Sequence, residues 1–100
     1  MTTIINEHDG KMTVEMSGQL DTLAATQAEK DLQPAFQSDC KDVIMNCNNL
    51  EYVASAGLRL FLALLKAVKA RGGQVTITGM NDDIMNVFKV TGFSTLFKFE

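Results

Sequence analysis

Asn46-Cys47-Asn48-Asn49-Leu50-Glu51-Tyr52-Val53-Ala54-Ser55-Ala56-Gly57-Leu58-Arg59 is the stretch on which the reading of this chain turns. Before and into it, Val43, Met45 and Cys47 alternate with other residues over Asp42–Cys47, the spacing of a compact strand. That strand ends, a short loop follows, and a serine stands just before the apolar-rich helix Gly57–Ala70, which Gly72-Gly73 closes. A serine in this position has a plain structural job, because its hydroxyl can accept from the orphan N–H groups of the first helical turn. Capping does not forbid special chemistry at the same oxygen, so both readings of Ser55 stay open at this point.

Downstream, Val75 and Ile77 alternate with Thr76 and Thr78, predicting a strand over Gln74–Thr78. Asn81-Asp82-Asp83 opens a further helix with Ile84, Val87 and Phe88 on its inner face, and Gly92 stops it. Leu96–Phe99 adds a short last strand. Upstream, Thr2–Glu7 reads as a strand, His8-Asp9-Gly10 as a tight turn, and Met12, Val14 and Met16 as the inward side of a second strand. Gly18-Gln19-Leu20-Asp21 leaves that strand and enters a helix capped by Asp21 or Thr22. Ala25, Ala28, Leu32, Ala35 and Phe36 share its apolar stripe, and Pro34 should kink or split it near Gln33. The expected fold is α/β, a small mixed sheet with helices packed on it, in the order β-β-α-β-α-β-α(-β). Strands flanking the second helix at crossover spacing make part of that sheet parallel.

The 100 residues fit one domain over 1–100, and 46% apolar against 21% charged residues is ordinary for a globular core. A net charge of −3 withholds the electrostatic footprint of a nucleic-acid binder. Lys66, Lys69 and Arg71 read as a solvated helix face. Cys40 and Cys47 stand in no disulfide framework, and Cys47 reads as a small buried hydrophobe. With His8 the only histidine, no metal set assembles, and no cofactor motif is present. Ser55 has no neighbouring histidine to act as its base, so no catalytic residues are assigned. Met12, Met16, Met45, Met80 and Met85 read as adaptable core filler. No basic leader and no apolar run of about 18 residues appears, so a cytoplasmic protein without membrane insertion is expected.

Ser55-Ala56-Gly57-Leu58, approached through Leu50-Glu51-Tyr52-Val53, resembles the phosphoacceptor loop of the STAS family, best known for bacterial anti-sigma factor antagonists. Gly18-Gln19-Leu20-Asp21 is similar to that family's Gly-x-Leu-Asp element, and Phe88-Lys89-Val90-Thr91-Gly92-Phe93 to its helix-ending Thr-Gly element. The matches run through nearly the whole chain in order. Ala54 departs from the Asp that often precedes the acceptor serine, and Asn46 from a frequent strand Asp. A lost carboxylate beside Ser55 bears on kinase recognition and on the orientation of the hydroxyl.

The resemblance implies that Ser55 is phosphorylated by an anti-sigma factor acting as a serine protein kinase, with a serine phosphatase to reset it. It implies a partner-facing end that includes Asp21 and Thr22 beside Ala54, Ser55, Ala56, Gly57, Leu58 and Arg59. Leu60 and Leu64, on the flank of the long helix, extend that surface or bury against a neighbouring helix. Gly57 lets a partner backbone approach, or is simply tolerated in a first turn. STAS domains also serve as soluble accessory subunits of ABC-type membrane transport complexes and as signalling scaffold components. That is the rival expectation.

Overall fold

Asp9 and Gly10 take positive φ, 51° and 77°, the backbone of a two-residue hairpin turn. Strand β1 (Thr2–His8) therefore folds back antiparallel on β2 (Lys11–Leu20), with His8 paired to Lys11. The computed structural model describes residues 1–100, and β3 (Asp42–Val53), β4 (Gln74–Thr78) and β5 (Lys98–Phe99) complete one sheet in chain order. Every pair after the hairpin is parallel. Parallel neighbours need crossovers. These are α1 (Thr22–Asp31) with α2 (Gln33–Gln37), then α3 (Ser55–Ala70), then α4 (Asp82–Val90) with a 3-10 turn at Phe93–Thr95.

Local chemistry sets the helix ends. Asp21 Oδ1 accepts from the Ala24 N–H at 2.8 Å, and Asn81 Oδ1 from Ile84 N–H at 2.8 Å. Pro34 has no N–H to donate, so the helical run stops at Asp31 and restarts at Gln33, as the sequence predicts. Gly92, at φ 80°, ends α4.

The core lies on one side of the sheet. Met12, Val14 and Met16, Val43, Met45 and Cys47, and Val75 and Ile77 are buried on the face that meets the helices. Met12, Met16 and Met45 are buried and the half-buried Met80 packs against this core, as core filler does, whereas Met85 is half-buried without being part of that cluster. Phe61, Phe88, Phe97 and Phe99 interlock edge to face, with centroids 5.5–6.4 Å apart. The other face carries Thr13, Glu15, Ile44, Asn46 and Thr78, all half-buried, with no helix above them.

Three expectations change. Strand β2 continues through Leu20 rather than ending before Gly18, and β3 runs to Val53, so the expected loop after Cys47 shrinks to Ala54. Two register shifts against β2 place an extra β3 residue in the ladder each time, and the buried positions become Cys47, Leu50 and Val53. A spacing of three hides a strand from any reader of alternation. The third change concerns Arg71, which is not part of a solvated face. It donates to the carbonyls of Cys40 (2.6 Å), Ala35 (2.9 Å) and Phe36 (3.4 Å), joining the end of α3 to the end of α2. No helix is long and apolar enough to cross a membrane.

Candidate partner-binding site

Leu20 and Val53 are the last paired residues of β2 and β3, and Ala54 N–H still donates to Leu20 O at 2.9 Å. One residue further on, both chains turn into helices, α1 after Asp21 and α3 after Ala54. The two helix starts therefore share one end of the molecule, beyond the carboxyl ends of the parallel strands. Asp21, Thr22 and Ser55 are brought together there, and all three are exposed.

Ser55 is not the cap. The cap position falls on Ala54, whose methyl accepts nothing, and Ser55 is the first residue of the helix itself. The first turn of α3 thus holds neither a side-chain cap nor an acidic residue, unlike that of α4, which has both. The Ser55 hydroxyl enters no hydrogen bond within the protein and stands open to solvent. Nothing structural consumes it.

The remaining candidates divide. Arg59 is exposed, and Ala54 and Ala56 are half-buried. Gly57, Leu58, Leu60 and Leu64 are buried, and the expectation that they face a partner is corrected. Leu64 is fully enclosed and Leu60 is 7% exposed, because the wide apolar arc of α3 packs on the sheet with one side and on α1 with the other. Gly57 points inward too. A Cβ there would lie 2.8 Å from Leu20 Cγ and Cδ2, so the missing side chain lets α3 settle on the end of β2 rather than admitting a partner's backbone.

Two surface residues escaped the sequence reading. Leu23 is 83% exposed in the first turn of α1, and Tyr52 is 51% exposed at the end of β3. Their signal was available: Leu23 lies off the Ala25–Ala28–Leu32 stripe, and an apolar residue off the stripe has no core to enter. A groove of about 540 Å³ runs between α1 and α3, lined by Thr22, Thr26 and Glu29 on one wall and Ala56, Arg59 and Ala63 on the other. Arg59 makes no ion pair; the two in the protein are His8–Asp9 and Lys98–Glu100.

This chemistry suits recognition and modification. No group of three His, Cys, Asp or Glu side chains is placed to hold a metal ion. Burial pushes the Cys47 thiol up to about 12, so it stays protonated and inert. His8 sits at the hairpin turn, level with Lys11 and Asp42, which is the end of the sheet opposite Ser55. An accessible hydroxyl at a helix start can receive a group from another protein's active site.

Fold and site together define a class: an open α/β sheet, covered by helices on one face, that displays a serine at a helix start beyond its parallel strands. The chain belongs to the STAS domain family, whose sequence profile matches residues 2–100. An anti-sigma-B factor antagonist of Staphylococcus aureus is 34% identical over 83 residues, covering 83% of this chain and 77% of that one. The anti-sigma factor antagonist SpoIIAA in its unphosphorylated form superposes with a TM-score of 0.83 at 19% identity, over 99% of this chain and 88% of that one. Its phosphorylated form gives 0.76 at 19% identity, over 99% and 91%. At such identities the superpositions speak for the fold.

Proposed function

We propose that this chain is an anti-sigma factor antagonist, a cytoplasmic binding switch rather than an enzyme. While Ser55 is unmodified, the end of the molecule around it holds an anti-sigma factor of the serine-kinase type; once Ser55 carries phosphate, the partner is released. A phosphatase resets the serine. The observation that carries this reading is the free, exposed Ser55 hydroxyl at an uncapped helix start. The name of the Staphylococcus relative and the existence of a phosphorylated SpoIIAA support it.

The physics of the switch is local. Phosphate adds about −1.5 to −2 charge, and the positive end of a helix tolerates it, so the fold persists in both states. Within a packed interface the same hydrated dianion must be stripped of water and finds no room. An unpaired charge there costs about 2–5 kcal/mol of binding, or roughly a 30- to several-thousand-fold loss of affinity. Titration calorimetry of Ser55→Ala and Ser55→Asp against the anti-sigma factor of the same organism tests this. Ser55→Ala should bind as the unmodified protein does and Ser55→Asp at least tenfold more weakly; equal affinity of the two would remove the mechanism.

A further inference from the structure

We infer that Arg59 is a positioning residue for the modified state: its guanidinium reaches back over the first turn of α3 to pair with a phosphate on Ser55, and so leaves the partner-facing surface. This rests on the reading of Ser55 as the phosphoacceptor and adds a second route to release.

Four residues separate Ser55 from Arg59 within one helix, so the two side chains occupy the same face, one turn apart. Side chains on a helix lean toward its N-terminus, so a long side chain at 59 covers the surface over residue 55 rather than over residue 63. Both residues are exposed, and no protein group must be displaced for them to meet. Arg59 is also uncommitted. It takes part in neither ion pair, and the arginine hydrogen bonds in the protein all belong to Arg71.

Competition for Arg59 is weak on every side. The first turn of α3 contains no acidic residue. Across the groove, Glu29 of α1 shares the lining with Arg59 without coming within ion-pair distance. Asp21 already accepts from the Ala24 N–H. The other cations of α3, Lys66 and Lys69, lie about three turns beyond Ser55, so Arg59 is the one cation of that helix within reach of a charge placed there. A guanidinium presents a planar fork of donors that fits phosphate oxygens in pairs, which a lysine does not.

The consequence is a switch with two linked parts. Unmodified, Arg59 is a free cation at the mouth of the α1–α3 groove, offered to the partner. Modified, it is folded onto the phosphate, and the partner loses a cationic contact as well as meeting a dianion.

The test is phosphorus NMR of protein carrying genetically installed phosphoserine at position 55, titrated through the phosphate's second ionisation near pH 6. A guanidinium favours the dianion and lowers that midpoint. The midpoint in Arg59→Gln should therefore lie about 0.2–0.4 pH unit above that of the unsubstituted protein, with Arg59→Lys between them. The difference should shrink in high salt. Coincident curves for the unsubstituted protein and Arg59→Gln, with both still folded by amide dispersion, would overturn the pairing. Separated curves on a phosphoprotein that still binds its anti-sigma factor would uphold the pairing and defeat the release reading alone.

Discussion

At the amino end of β3, Arg71 gives its N–H groups to the carbonyls of Cys40, Ala35 and Phe36, while Glu7 accepts from the Ser38 hydroxyl at 2.8 Å and from the Cys40 thiol at 2.7 Å. At the carboxyl end, Ser55 and Arg59 bond to nothing in the protein, Ala54 leaves a helix start uncapped, and Leu23 and Tyr52 face solvent. One end has used its polar groups to lock α2, α3 and β1 together. At the other, Asp21 caps α1, but the side chains of Ser55 and Arg59 stay unengaged. The difference teaches where to look for function in a small domain: the side chains that the fold does not need are the ones a partner can use.

That contrast can be broken from either end. The largest effect should come from Arg71→Ala, which strips the carbonyls of Ala35, Phe36 and Cys40 of their donor. A loss of about 2–3 kcal/mol in urea unfolding is expected, with partner affinity unchanged under native conditions. A loss of affinity instead would mean that the two ends are coupled. At the other end, Ala54→Asp supplies the missing cap and should stabilise the protein by about 1 kcal/mol, read as a higher melting temperature. No gain would show that the α3 start is already satisfied.

The smallest expected effect sharpens the comparison by pH. Hydrogen bonds from Cys40 first, and then Ser38, hold the Glu7 carboxyl below its ordinary range. A lowered folded value means that the unfolded chain binds the proton more readily. The stability from Glu7 is therefore complete above the ordinary carboxylate range and is lost as pH falls through the lowered folded value. Glu7→Gln should flatten that acid limb of the melting profile, whereas Ser55→Ala should leave it untouched. The same bond raises the Cys40 thiol, which stays protonated as the donor.

Much of this was legible in the chain. The turn at His8-Asp9-Gly10, the helix opening at Asn81 and the break at Pro34 follow from the residues' own atoms, and the same local chemistry narrows the α1 cap to Asp21 or Thr22, of which Asp21 is the one that accepts from Ala24. The readings that failed depended on distant partners. The second half of β3 was hidden because register shifts against β2 replaced alternation with steps of three. For Leu60 and Leu64 the sequence leaves two places open, a partner-facing surface or a neighbouring helix, and only the packing of α1 on that flank of α3 decides for the helix. Arg71 looked solvated because the carbonyls it serves lie more than thirty residues away. The candidate site was half legible: Ser55 stood out through its motif, but its freedom from a capping role could be learned only from the backbone around Ala54.

The central claim is that Ser55 is held out for modification, and phosphosite mapping after incubation with ATP and the kinase-type anti-sigma factor tests it most directly. A single phosphate on Ser55, and none on the Ser55→Ala protein, is the predicted result. Phosphate on Ser17, Ser38 or Ser94, or undiminished labelling of Ser55→Ala, would contradict it.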